Sequence, residues 1–188
     1  MTNELHSNHM TNKRPPDARS NFWQTWLIGP WSKLGLTVAV VSLVLDQVHK
    51  WWMIGPYQIE AKKRVVLTPF LDLVYTINKG VSYGMGAGRI GPWVLSGFAL
   101  FASLALVVWL AKGATNRIMA WSIGLIIGGA IGNAIDRLHL GGVADFFSLH
   151  AFGYYWYIFN IADIAIVAGV LGLLYDSITS PESSAQSH

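Results

Sequence analysis

The chain contains no cysteine. That excludes a thiol nucleophile, a cysteine-based metal site and a structural disulfide. Charge is scarce as well. Only 12% of the 188 residues are charged, about half of what an ordinary soluble domain carries. Ten are acidic, only three of those are Glu, and no His-Glu-x-x-His occurs, so a zinc-peptidase signature is missing. No Gly-x precedes Ser96-Gly97, as a serine peptidase elbow requires, and no Gly-rich phosphate loop runs into Lys-Ser or Lys-Thr. The net charge is +3, yet no basic run exceeds Lys62-Lys63-Arg64. Scattered cations suit a membrane surface and not nucleic acid.

Hydrophobic residues, in contrast, make up 53% of the chain and come in long blocks. Residues 34–53, 92–111, 118–139 and 156–175 each reach the roughly 20 residues that a helix needs to cross about 30 Å of hydrocarbon. Trp93 and Trp109 sit near the ends of the second block as interfacial anchors. Between the first two blocks, Leu71, Leu73, Tyr75 and Ile77 alternate with Asp72, Val74, Thr76 and Asn78, which predicts a half-buried strand, with 64–67 able to pair with it. Gly80, Gly84, Gly86 and Gly88 follow, predicting a flexible segment. The expected fold is an all-α integral membrane protein of four transmembrane helices. A small extramembrane β-sheet at about 57–88 lies between the first and second, and residues 140–155 form a short interfacial loop between the third and fourth.

Residues 1–33 read as a polar tail without a cleavable signal peptide, and 177–188 as a disordered Ser-rich tail. The membrane domain is then 34–176. Four spans put both termini on one side. Six Lys and Arg on the terminal side against five in 54–91 tip that side towards the cytoplasm.

The chemistry concentrates in residues 128–163, where Asn133, Asp136, Arg137, Asp145, Asn160 and Asp163 lie within or between two apolar blocks. Ionisable groups in a membrane are costly unless paired, and they mark function. Gly129, Gly132, Asn133, Asp136 and Arg137 share one helical stripe, and Gly128 with Gly132 permits a close backbone approach. Asp46 and Lys50, one turn apart in the first span, meet on one face, either as a structural ion pair with Lys50 snorkelling towards the headgroups or with a part in the chemistry, Asp46 lying deep enough to want a buried partner. Asp163 is expected about 10 Å along the fourth span, at 1.5 Å per residue. These groups converge on the membrane face opposite the termini.

Two carboxylates in a poorly hydrated site share a proton, as aspartyl peptidase chemistry requires. Asp163 is one member. The other is Asp145 or Asp136. Arg137 beside Asp136 appears in the sequence as its neutralising partner, whereas Asp145 lies in an apolar loop where burial raises its pKa, so Asp145 is preferred. A proton- or solute-conducting protein built on the same carboxylates is the alternative.

Four blocks occur in order: Asp46-Gln47-x-x-Lys50; Asn78-x-Gly80-x-Ser82-Tyr83-Gly84; Gly128-Gly129-x-x-Gly132-Asn133-x-x-Asp136-Arg137 with Val143-x-Asp145-Phe146; and Phe159-Asn160-x-Ala162-Asp163. In this respect the chain resembles the lipoprotein signal peptidases, also called signal peptidase II, over about residues 34–176. The resemblance implies a multi-pass aspartyl endopeptidase of the bacterial inner membrane, monomeric, with cytoplasmic termini and a site near the periplasmic face. It implies cleavage of diacylglyceryl-modified prolipoproteins before the lipidated cysteine, with water as nucleophile, no cofactor or metal, membrane lipid as a partner and no nucleic acid. It implies Asp145 and Asp163 as the catalytic pair, supported by Asp46, Lys50, Asn78, Gly80, Asn133, Asp136, Arg137 and Asn160. It also implies a periplasmic helix in 140–155. Ser82 and Tyr83 depart from the usual Ala and Phe, each adding a hydroxyl. Lacking cysteine, the chain cannot itself be a lipoprotein.

Overall fold

The structure, a computed structural model, describes residues 29–80 and 91–179. The expected N-terminal tail up to residue 28, residues 81–90 of the Gly-rich segment with Ser82 and Tyr83, and residues 180–188 lie outside them.

The described residues form four long helices, α1 (Ser32–Ile54), α3 (Gly91–Gly113), α4 (Arg117–Leu140) and α5 (Ile161–Thr179), with a single turn, α2 (Ile59–Lys62), after the first. Three of them, α3, α4 and α5, are long and apolar enough to cross a membrane by length and composition. The expected fourth, α1, is equally long, but Asp46, Gln47, His49 and Lys50 crowd its second half and dilute its hydropathy. Its outer face is still apolar, with Val40, Val44 and Val48 more than half exposed.

The helix α4 is the centre, packed against α1, α3 and α5. Asn116 caps its start by accepting a hydrogen bond from Met119 N at 2.9 Å, and Gly141 ends it in the left-handed region at φ 72°. Its small residues set the spacing. A Cβ on Gly128 would stand 2.4 Å from the Ala39 carbonyl oxygen of α1, and one on Gly129 would stand 2.4 Å from the Ala162 carbonyl oxygen of α5. The expected close approach therefore occurs on two sides of one helix. Gly129→Val should lower stability by about 2–3 kcal/mol, because backbone must retreat and not merely a side chain. Thermal unfolding in detergent, compared with a substitution at the unobstructed Gly97, measures this.

The sheet departs from expectation. Strands β1 (Arg64–Thr68) and β2 (Leu71–Asn78) pair antiparallel as anticipated, but β2 also pairs with β3 (Val143–Ala151), which pairs with β4 (Tyr154–Phe159). Residues 140–155 are thus neither an interfacial loop nor a helix, and the fold is not all-α. Their aromatic and β-branched residues suit strands, and Phe152 (φ 51°) with Gly153 (φ 82°) forms the two-residue turn that joins them. The fourth helix consequently begins at Ile161 and not at Trp156, and it continues to Thr179, past the expected end of the domain at 176. Met53, Ile59, Leu73, Ala144 and Phe146 make the core under the sheet. Buried Asp72 ties β1 and β3 to β2, lying 2.7 Å from Arg64 and 2.9 Å from His150.

Candidate active site

The sheet and the helix bundle meet at the C-terminal ends of α1 and α4 and the N-terminal end of α5. Asp145 arrives on β3, opposite Thr76 of β2. Asp163 arrives in the first turn of α5. It is therefore at the helix mouth, not partway along the span as expected, because the residues before it belong to β4.

The turn is made by Asn160. Its Oδ1 accepts from Asp163 N at 3.0 Å while its own N donates to Asp163 Oδ2 at 3.3 Å, a reciprocal cap. The same side chain reaches across to Asp145, donating from Nδ2 to Oδ1 at 2.7 Å and also to Asn133 Oδ1 at 3.2 Å. Asn133 in turn donates to Asp163 Oδ1 at 2.8 Å. Two amides thus hold both carboxylates. Asn78 closes the other side of Asp145, donating to Oδ2 at 3.2 Å while its own Oδ1 accepts from Gly80 N at 2.9 Å. Gly80 takes φ 78° to make that turn, which explains a glycine there.

Asp145 is 1% exposed, whereas Asp163 is only partly buried. Burial pushes the Asp145 carboxyl up to about 6, with the Asp163 charge adding to the effect and hydrogen bonds from Asn78 and Asn160 opposing it. Asp163 opens onto an apolar groove of about 340 Å³, lined by Tyr157, Phe159, Ile164, Val167 and Leu171.

Asp136 stands apart from this pair. Its partner is not Arg137, which donates to the Asn133 carbonyl oxygen at 3.3 Å. It is Lys50, whose Nζ lies 2.7 Å from both Asp136 Oδ2 and Asp46 Oδ2. Lys50 is only 4% exposed. It does not snorkel to the headgroups. It turns into the bundle because two carboxylates wait there. Gln47 was missed as a site residue, although it lies inside the first block. Its Nε2 donates to Asp46 Oδ2 at 3.1 Å and Asp136 Oδ1 at 3.3 Å. Nothing in the spacing of α1 alone indicates a partner on α4. Tyr157 and Phe159 were missed too, since they were read as helix.

Residues 38–179 match the family model described as signal peptidase (SPase) II. A lipoprotein signal peptidase of Beijerinckia indica subsp. indica is 49% identical over 152 residues, covering 80% of this chain and 90% of the relative. One from Methylobacterium sp. (strain 4-46) is 48% identical over 149 residues, covering 78% and 90%. Among solved structures, a bacterial membrane enzyme determined by the in meso method at 2.3 Å resolution is similar with a TM-score of 0.66 and 31% identity, covering 82% of this chain and 95% of that one. A second, at 1.9 Å resolution, gives 0.65 and 30%, covering 79% and 95%. With its polar centre set between a small sheet and membrane-length helices, the chain belongs to the signal peptidase II family.

Proposed function

We propose that this peptidase removes signal peptides from prolipoproteins by aspartyl chemistry at Asp145 and Asp163. Prolipoprotein processing follows from family membership, and the conducting alternative has no support. The observation that carries the catalytic assignment is the shared pair of amides. Between them Asn160 and Asn133 bond both carboxylates, and among the described residues neither carboxylate has a cation within ion-pair distance. Asp136 instead has a cation, Lys50, at 2.7 Å, with Gln47 and Ala144 N on its oxygens as well.

In this reading Asp145, dry and raised in pKa, holds the proton and donates a hydrogen bond to the scissile carbonyl oxygen. Asp163 takes a proton from water as the water oxygen bonds to the carbonyl carbon. The tetrahedral adduct then collapses, the C–N bond breaks, and a proton from the pair goes to the leaving amine. The apolar groove beside Asp163 receives the hydrophobic segment of the substrate, and the diacylglyceryl chains of the lipidated cysteine stay in lipid. The cleaved bond is the one just before that cysteine. Every proposed site residue comes from one copy of the chain, so a monomer suffices. With α1 as a fourth span, supported by its outward valines, both termini lie on the cytoplasmic face of the bacterial inner membrane. The site then lies towards the periplasm. Arg137 and Gly80 flank the site as supporting residues.

Cleavage of a diacylglyceryl prolipoprotein by Asn variants of the two aspartates is the direct test. The pH profile adds a second. The active form carries its proton on Asp145, so kcat/KM should fall as pH rises past about 6. Asn78→Ala removes a hydrogen bond that favours the charged carboxylate, so the pKa rises and this limb moves to higher pH. A limb unmoved in the variant counts against Asp145 as the titrating group.

A further inference from the structure

The buried ions of α1 and α4 occupy a defined relation to the two proposed catalytic residues. Asp46 Oδ1 accepts from the backbone N of Ala162 at 2.9 Å, and Ala162 immediately precedes Asp163. Asp136 Oδ2 accepts from the backbone N of Ala144 at 3.1 Å, and Ala144 immediately precedes Asp145. Both alanines are fully buried. Each ion therefore holds the peptide one residue ahead of a catalytic aspartate, and neighbouring Cα atoms lie only about 3.8 Å apart. Both carboxylates meet the same atom, Lys50 Nζ, at 2.7 Å, Asp46 through its other oxygen Oδ2 and Asp136 through the Oδ2 that also takes Ala144 N. Gln47 bridges the two acids a second time and donates to the Gly132 carbonyl oxygen at 3.4 Å.

We infer that Asp46, Lys50 and Asp136 form a positioning clamp in which a single ammonium sets the distance between the strand carrying Asp145 and the helix carrying Asp163. The inference rests on the assignment of those two as the catalytic pair. The two acids repel one another, and the cation between them, with the neutral amide of Gln47 beside it, draws both inwards, so the separation of the gripped peptides follows the ammonium. Lys50 also donates to Asn133 Oδ1 at 3.4 Å, which joins the clamp to the amide that holds Asp163. None of the three clamp residues needs to touch substrate. Their effect is on geometry, and a displacement of about 1 Å at reacting groups can cost about 100-fold in rate.

Lys50→Met leaves the two carboxylates facing one another without a cation. In the full chain in detergent micelles, with a synthetic diacylglyceryl prolipoprotein, kcat should fall about 100-fold and KM should change little, because the groove that receives the substrate is untouched. Adding Asp46→Asn removes one of the two uncompensated charges and should recover kcat at least about tenfold over Lys50→Met. A purely structural contribution would instead follow the melting temperature and leave the kcat-to-KM split unchanged. The absence of native cysteine provides a direct measure of spacing. In a chain carrying Asp145→Cys and Asp163→Cys, the rate of bridging by a short bifunctional thiol reagent should change when Lys50→Met is added.

Lys50→Met with kcat within about threefold of the parent overturns the clamp. So does a folded double variant no faster than the single one, or an unchanged bridging rate. If Lys50→Met does not fold, Asp46→Asn alone carries the test, with a kcat loss at unchanged KM expected and a parental kcat overturning the inference. Retained cleavage by Asp145→Asn or Asp163→Asn defeats the catalytic assignment. Inactive Asn variants beside a fully active Lys50→Met defeat only the clamp.

Discussion

Asp145→Asn and Asp163→Asn should each reduce prolipoprotein cleavage by at least about 10³-fold while the protein stays folded. The substitutions are nearly isosteric, and an amide oxygen can still accept from Asn160 at position 145 or from Asn133 at position 163, at the cost of the bond from Asn78 or from Asn160 N respectively. What disappears is the ability to hold and move a proton. The stability of Asp145→Asn separates catalysis from folding through its sign. The carboxyl of Asp145 is raised from 3.8 to about 6, so its contribution to stability is fully present below 3.8 and is lost as pH rises through about 6. At pH 8 the parent bears the cost of a dry charge and the Asn variant does not. Relative to the parent the variant should therefore fare best there and lose ground as pH falls through the window from about 6 to 3.8.

Asp136→Asn should behave in the opposite way. Its carboxylate is one of two on Lys50, so the variant keeps Asp46 as counter-charge and loses a charged hydrogen bond, worth about 1.5–3 kcal/mol. The melting temperature should fall, and kcat should fall further than the lost stability accounts for, because the clamp on Ala144 is loosened as well. Comparing cleavage and melting for the position 136 and position 145 variants decides the pair. A stable, inactive Asp136→Asn beside an active Asp145→Asn would reverse the assignment.

The second large effect is expected at Asn160, which is fully buried and has two tasks. It caps α5, and it links Asp145 to Asn133 and Asp163. Asn160→Ala loses both, with a stability loss of about 1–2 kcal/mol for the cap and a fall in kcat of about 100-fold for the misplaced carboxylates. Asn160→Ser separates the two tasks. A serine hydroxyl still accepts from Asp163 N and restores the cap, but it is too short to reach Asp145. Melting temperature should return towards the parent while kcat stays low. A Ser variant that recovers both would show that Asn160 matters only as a cap.

The interior stripe of α4 was legible in the sequence because helical periodicity brings Gly129, Gly132, Asn133 and Asp136 to one face wherever the helix packs. The pairing of β1 with β2 was legible for a similar reason, since alternation is local and the two segments are neighbours in the chain. The hairpin of 143–159 was not. Its run of aromatics has no polar alternation, and the strand that completes it, β2, lies about 70 residues earlier, so a membrane-facing loop explained the composition equally well. The error passed on to Asp163, which moved from mid-span to helix mouth once β4 claimed the residues before it.

The ion pairs divide in the same way. The spacing of Asp46 and Lys50 is a helical turn and can be read directly, but the direction in which Lys50 points depends on a second carboxylate carried by another helix. Arg137 next to Asp136 in the chain suggested a pair that the helix does not make, because adjacent residues diverge around a helix by roughly 100°. By itself the sequence determined the chemistry available: three carboxylates, two amides and one guanidinium set in apolar surroundings without a thiol. Only the tertiary structure decided which acid is neutralised and which is left dry, because that depends on what other elements bring within about 3 Å.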